Sequence, residues 1–136
     1  MERDLHSHID DRVALDPQAI ATDTTTAGNI IDTKDYESLE FLLWTKTVTD
    51  GDYAWKIEHG DDAALADAAD AGSDDILGSL AGFTADTDDN SVNRVGYIGK
   101  KRYVRASIVS TNTTTGVDAI GILAILSHPR RAPVAQ

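Results

Sequence analysis

The stretch ESLEFLLWTKT, residues 37–47, alternates between two faces in a way that indicates an extended strand. Leu39, Phe41 and Leu43 fall on one face, which is wholly apolar. The opposite face places the acidic Glu40 beside Leu42 and Trp44, so it is only partly polar. This period of two predicts a strand over 37–47 with one face in the core.

A second strong strand is predicted over Val117–Ser127, the most apolar segment of the chain. One face carries Ile120, Ile122, Ala124 and Leu126, and the other carries Ala119, Gly121, Leu123 and Ile125. Since both faces are apolar, we expect this strand at the centre of a sheet or at a subunit contact. Pro129 is expected to stop it.

Turn residues predict two hairpins between extended segments. Thr49–Asp52 is an Asp-Gly turn in which Gly51 supplies a positive φ, and it would pair the strand over 37–47 with the alternating segment 53–58. Gly99-Lys100 would likewise join strands over 94–98 and 101–110.

The remaining segments give weaker patterns. Residues 1–18 indicate an N-terminal arm that either orders only against a partner or is disordered throughout. Residues 19–33 predict an edge strand, a turn over 24–28 and a second strand. Residues 60–91 fit either a short alanine-rich helix or a loop with short strands, and 131–136 form a tail. We therefore predict a single all-β domain over 19–130, an antiparallel β-sandwich or jelly-roll-like barrel with an extended N-terminal arm.

Composition narrows the partners. The 136 residues include 23 acidic and 12 basic ones, for a net charge of −11, and no cysteine. A negative field repels phosphate and anionic lipid, so we expect neither nucleic acid nor membrane as a partner. The acidic residues are 19 Asp against 4 Glu, which favours loops and turns over helices. No apolar leader is visible at the N-terminus, and we expect a soluble protein that is made in the cytoplasm.

Patterns that carry chemistry are weak. His6, His8 and Asp10 could chelate a metal, but they lie in the predicted arm without further donors. The oxygen-rich loop 86–90 lacks the glycine and the final glutamate of an EF-hand. No phosphate-binding loop or nucleophile elbow occurs. We predict no catalytic residues, no metal site and no cofactor, and expect that the chain is not an enzyme.

One basic cluster interrupts the acidic sequence: Arg94, Lys100, Lys101, Arg102 and Arg105. It represents either ordinary charge balance with nearby Asp residues or a docking edge for an acidic partner. Strand geometry does not let all five form one patch. The second apolar faces of two strands, together with Trp44 and Tyr103, favour a subunit contact.

Four segments, in this order, resemble a family of proteins of tailed bacteriophages. They are Asp32–Phe41, Thr49–Tyr53, Asp88–Arg105 and Ile125–Arg130, and the resemblance extends over residues 29–130. The family is that of capsid decoration, or cement, proteins. Residues 60–85 and the N-terminal arm do not match it.

The resemblance implies a β-sandwich on the outer capsid surface of a virion. It would act as a homotrimer that bridges subunits of the major capsid protein and resists the pressure of packaged DNA. We expect capsid or subunit contacts at seven residues: Arg3, Arg12, Arg94, Arg102, Arg105, Trp44 and Tyr103. The alternatives are a head-tail joining or tail protein of the virion, or a carbohydrate-binding β-sandwich module whose exposed aromatic residues stack on sugars.

Overall fold

The computed structural model describes residues 3–84 and 90–131, and its regular structure is almost wholly β-strand. In chain order the strands are β1 (Ile9–Ile20), β2 (Thr25–Asp32), β3 (Tyr36–Thr45), β4 (Asp52–Gly60), β5 (Ala69–Asp70), β6 (Ile76–Leu77), β7 (Phe83–Thr84), β8 (Val92–Tyr97), β9 (Tyr103–Thr111) and β10 (Val117–Pro129). Single 3-10 turns occur at His6–His8 and Ser73–Asp75, and no α-helix occurs in the described ranges.

The strands form two antiparallel sheets that pack as a sandwich. Sheet A has the order β1-β10-β3-β8-β6, and sheet B has the order β2-β9-β4-β5 with β7 also paired to β4. The prediction of an all-β fold is therefore confirmed in its sandwich form.

The core lies between the inward faces of the two sheets. Sheet A contributes alternate residues of its two central strands, and Phe41, Leu43, Ile122 and Leu126 have no exposed surface. Each large apolar side chain buried in this way contributes about 1.5–3 kcal/mol. The predicted inward faces of β3 and β10 are confirmed, and so is the central position of β10.

Both predicted hairpins are wrong, because each turn carries the chain from one sheet to the other. β3 lies in sheet A and β4 in sheet B, and the same holds for β8 and β9. Gly51 does adopt the expected positive φ, at 96°. The connection over 46–51 is nevertheless too long for a two-residue hairpin, and its Val48 is buried and forms a bridge to Val117.

The prediction of an N-terminal arm over 1–18 is wrong from residue 9 onward. β1 is an edge strand of sheet A, paired with β10 from Ile9 to Ile20. Its register shifts three times, between Val13 and Leu15, Leu15 and Gln18, and Gln18 and Ile20. These bulges remove the period of two from the sequence, so the strand cannot be recognised from alternation.

The turn predicted over 24–28 is also wrong, because β2 is a strand from Thr25 onward and pairs with β9. Gly28 lies in this strand where backbones crowd together. A Cβ atom there would collide with the carbonyl oxygens of Ala14 and Ala106. The glycine therefore permits close packing of β1, β2 and β9, a role that the sequence does not distinguish from a turn.

Residues 60–84 form loops with the short strands β5, β6 and β7. Of the two alternatives for this segment, the loop with short strands is therefore confirmed and the short helix is wrong. Leu65 is buried within the segment, at a positive φ of 53°. The predicted acidic loop 86–90 falls outside the described residues except for Asn90, and the predicted tail does so beyond Arg131.

Candidate functional site

The outward face of sheet A, termed the A face below, carries rows of apolar side chains that cross several strands. One row runs from Val13 on β1 through Leu123 on β10 and Leu42 on β3 to Arg94 on β8. Directly opposed residues of antiparallel strands lie on the same face, so these four side chains are neighbours. Three of the four are apolar, and Val13 is 47% exposed.

A second row consists of Gly121, Trp44 and Val92. The indole ring of Trp44 lies over Gly121, with Cη2 and Cζ2 at 2.9 and 3.0 Å from the position that a Cβ atom would occupy there. Because Gly121 has no side chain, the ring lies across β10 instead of projecting from it. Val92 is 67% exposed at the other end of the row.

A third row runs from Asp11 through Ile125 and Glu40 to Gly96 and Leu77. Leu77 is 58% exposed and extends the apolar surface to the last strand of the sheet. The face thus has apolar side chains on all five of its strands, with acidic groups at Asp11 and Glu40.

The carboxyl group of Glu40 lies within this apolar surface. Burial raises the pKa of its carboxyl group above the ordinary value, and the positive charge of Arg94 opposes that shift. Glu40 and Arg94 are therefore charged groups within a largely apolar surface, and a partner that covers the A face has to accommodate them.

The size of the A face suits a protein contact. Five strands spaced about 4.8 Å apart, with the length of the central strands, give a surface of roughly 20 by 30 Å. This approaches the ~800 Å² that each partner buries in a stable complex. Exposed apolar side chains that lie on one face, as Val13, Val92 and Leu77 do here, are a feature of interaction sites.

The outward face of sheet B differs in chemistry. Its central rows carry charged side chains, namely Lys56 and the directly opposed Glu58 and Arg105. Arg105 donates from Nη2 to Oε1 of Glu58 at 3.1 Å. The two faces of the sandwich are thus unlike, and the apolar one is on sheet A.

The predicted basic cluster is divided between the sheets. Arg94 lies on the A face, whereas Arg105 and Tyr103 belong to β9 in sheet B. Arg102 precedes β9, donates to both carboxylate oxygens of Asp32 at 2.8 Å, and stacks over the ring of Tyr103 at 4.9 Å. These contacts within the chain fit the interpretation of charge balance for Arg102 and Arg105.

The ion pair with Arg102 also changes the acidity of its partner. The hydrogen bonds from Arg102 lower the pKa of Asp32 to about 2. Arg12 reaches the same residue, donating from Nη1 to the Asp32 carbonyl oxygen at 2.8 Å. Arg12 therefore ties β1 to the end of β2, while Arg3 is exposed at the start of the described chain.

Three of the histidines have separate local partners, and that of His128 is the Ser38 hydroxyl, 2.6 Å from its Nδ1. Nδ1 of His8 lies 2.7 Å from the Asp4 carbonyl oxygen, and Nδ1 of His59 lies 2.8 Å from the Tyr97 hydroxyl. No group of three or more His, Cys, Asp or Glu residues that could hold a metal ion occurs within residues 3–84 and 90–131. In the same ranges, no helix is long and apolar enough to span a membrane.

Comparison with known protein families finds no matching family, and comparison with curated proteins finds no matching sequence.

Of the seven predicted contact residues, the structure places only Trp44 and Arg94 on the A face. Sequence reasoning also recognised the apolar outward sides of β3 and β10. It missed Val13, Val92 and Leu77, which are exposed apolar residues on three other strands. The polar neighbours of Val13 in the Asp-Arg-Val segment could have indicated that its face is exposed. The bulges of β1 interrupt the period of two after Val13, so the strand was not recognised.

Proposed function

We propose that this chain is a structural protein of a phage virion that decorates the outer face of the capsid. It would stabilise the shell by bridging subunits of the major capsid protein. The observation that carries the proposal is the A face, a broad apolar surface on an otherwise acidic sandwich. The resemblance of residues 29–130 to decoration proteins supplies the identity of the assembly.

The charge supports an outer position. A chain of net charge −11 is repelled by packaged DNA, and the repulsion favours the solvent side of a shell over its lumen. The same repulsion acts between copies, so adhesion has to come from apolar burial at about 25 cal/mol per Å². The A face is the surface that offers such burial.

The stabilising mechanism is linkage. A protein that binds the assembled shell and not its dissociated subunits stabilises the shell by about 2.7 kcal/mol per site at a hundredfold excess over its dissociation constant. Occupancy of many equivalent sites multiplies the effect. A homotrimer would add avidity, because each copy holds the other two near their own sites.

Co-sedimentation with assembled heads of the encoding virus, stripped of this protein, tests the proposal. We expect the wild-type chain to bind and to raise the temperature at which the heads release DNA. The double variant Val13→Asp/Val92→Asp places two charges at exposed positions of the A face and should weaken binding by about a hundredfold or more.

The matched control is Thr25→Asp/Thr111→Asp, which adds the same charge at exposed strand positions of sheet B. It should bind within about twofold of wild type, because it leaves the A face intact. Equal losses in the two double variants would show that the A face is not the contact surface. A wild-type chain that ignores the heads would overturn decoration altogether.

The alternative within the virion is a head-tail joining or tail protein, which could use the same apolar face. Counting copies per particle separates the two, since a decoration protein covers the whole shell and a joining protein occupies one vertex. Sedimentation equilibrium of the free chain tests the homotrimer, which should have three times the mass of the 14.6 kDa chain.

A further inference from the structure

A cleft of about 480 Å³ opens at the end of the sandwich where β3 begins. Its walls are residues 33–39, Tyr97, residues 99–102 and Arg130. We call it the end cleft. It lies at the tip of the sandwich, apart from the central apolar rows of the A face, so it needs its own explanation.

The lining of the end cleft reverses the charge of the chain. It contains five cations, Lys34, Lys100, Lys101, Arg102 and Arg130, against two carboxylates, Asp35 and Glu37. The lining thus carries +3, or +1 once Asp61 and Asp32, which pair with Lys101 and Arg102, are counted with it, whereas the whole chain carries −11. A concave surface with a local excess of positive charge attracts negative charge.

Three of the five cations already have carboxylate partners. Lys101 Nζ lies 2.8 Å from Asp61, Arg102 pairs with Asp32, and Arg130 Nε lies 3.0 Å from Glu37. Lys34 and Lys100 are exposed and have no ion pair within the described part of the chain. These two ammonium groups are the ones available to an incoming anion.

The two walls are fixed to each other before any ligand arrives. The backbone N–H and the hydroxyl of Thr33 both donate to the carbonyl oxygen of Arg102, at 2.9 and 2.8 Å. The Tyr97 hydroxyl accepts a hydrogen bond from the backbone N–H of Lys101 at 3.1 Å. A cleft that is held open in this way loses little conformational entropy on binding.

We propose that the end cleft binds an acidic segment of a partner protein, with Lys34 and Lys100 pairing its carboxylates. The volume lies within the range of about 300–1,000 Å³ that is usual for binding clefts, and suits a short peptide stretch. A nucleic acid carries charge along its whole length, and it would run out of the cleft onto a surface of strongly negative charge. A peptide can confine its carboxylates to the cleft.

Nuclear magnetic resonance titration of the full chain with the peptide acetyl-(Asp)6-amide tests the proposal. Amide shifts should change at residues 33–39 and 97–102 and should saturate, whereas acetyl-(Asn)6-amide should leave them unchanged. The double variant Lys34→Gln/Lys100→Gln should weaken binding by about five- to tenfold, because two partly solvated ion pairs are lost.

The matched control is Lys46→Gln/Lys56→Gln, which removes the same charge away from the cleft, near Asp118 and on the outward face of sheet B. It should change the affinity by less than about twofold. Equal losses in both double variants, or no shifts in the cleft, would overturn the proposal. So would tighter binding of hexathymidylate than of the acidic peptide at the same residues.

The outcome does not depend on the proposed decoration function. Val13→Asp/Val92→Asp leaves the cleft lining intact and should keep its affinity for the acidic peptide. Loss of head binding together with retained peptide binding would therefore confirm that the two surfaces act separately.

Discussion

Ser107 and Ser110 lie three residues apart on β9, and both are buried, yet only Ser110 has its hydroxyl satisfied. The Ser110 hydroxyl donates to the Thr22 carbonyl oxygen at 2.7 Å and accepts from the Thr24 backbone N–H at 3.1 Å. The Ser107 hydroxyl has no hydrogen-bond partner in the described part of the chain. One strand thus provides a satisfied and an unsatisfied hydroxyl at matched burial.

Alanine substitution should separate the two serines. Ser110→Ala removes the hydrogen bonds to the Thr22 carbonyl and the Thr24 N–H and should lower the free energy of unfolding by about 0.5–1.5 kcal/mol. Ser107→Ala removes an unsatisfied polar atom and should leave stability unchanged or raise it by up to about 1 kcal/mol. Urea denaturation measures both. A larger loss for Ser107→Ala than for Ser110→Ala would contradict the hydrogen-bond assignment.

Gly28→Ala should be among the most damaging single substitutions in the chain. The new Cβ atom meets backbone carbonyl oxygens of two other strands, and backbone cannot rotate away as a side chain can. We expect a loss at or above about 3 kcal/mol, the upper end of overpacking effects. Gly72→Ala is the control, since a Cβ atom there meets nothing within 4 Å, and thermal unfolding should find it neutral or slightly stabilised.

The Asp32–Arg102 ion pair predicts how stability responds to acid. The pKa of Asp32 is about 2 in the folded chain and 3.8 in the reference state, so the stabilisation is complete above pH 3.8 and is lost as the pH falls toward 2. Because the Asp32 side chain is 39% exposed, solvent screening limits the contribution to about 1 kcal/mol.

Asp32→Asn should therefore lose less stability than wild type between pH 5 and pH 2, by about 1 kcal/mol. Asp118→Asn is the control, because its Lys46 partner lies 3.7 Å away and both side chains are exposed. Chemical denaturation across this pH range gives the comparison. Parallel curves for wild type and Asp32→Asn would exclude the ion pair as a source of acid sensitivity.

Two truncations should distinguish the segment before β1 from the strand itself. A chain that begins at Ile9 should fold with little loss, since the residues before it include no buried side chain among those described. A chain that begins at Ala21 loses buried Ala14, Leu15 and Ile20 and should lose about 3–6 kcal/mol. Tryptophan fluorescence during urea unfolding measures both.

The chain that begins at Ile9 lacks Arg3, so comparing its binding to assembled heads with that of the full chain tests whether Arg3 contacts a capsid. If both truncated chains unfolded at the same urea concentration as wild type, β1 would not be part of the folded sheet.

The elements that the sequence predicted well are those with an uninterrupted period of two. β3 and β10 run without register shifts against each other, and their alternation reports their faces directly. β1 pairs over a similar length, but three bulges shift the side chains between faces. Its sequence therefore resembles an unstructured arm, although Leu15 is 3% exposed.

The turn residues predicted the positions at which the chain changes direction. They did not predict which strands pair with each other. Gly51 has the positive φ that its turn requires, yet the strands on either side belong to different sheets. Which strand each segment pairs with depends on contacts between residues that are distant in sequence. One example is the set of hydrogen bonds that the Asp50 carboxylate accepts from the backbone N–H groups of residues 114–116. No local pattern contains that information.

The candidate site was predictable only within single strands. Leu42 and Trp44 were recognisable because they share one element, and Arg94 was a predicted contact for its charge. Their position beside Val13 and Val92 follows from the order of strands in sheet A, which the sequence does not state. The end cleft likewise unites Lys34 and Lys100 from segments that are distant along the chain.

The irregular edge at β1 governs how copies can meet. An exposed edge with a regular ladder invites open-ended addition of further strands and, with it, fibrils. β1 offers three breaks in register and a proline at position 17, which has no N–H to donate, so a foreign strand finds no continuous set of bonds. The breaks in register affect this edge alone and leave the apolar rows of the A face unchanged.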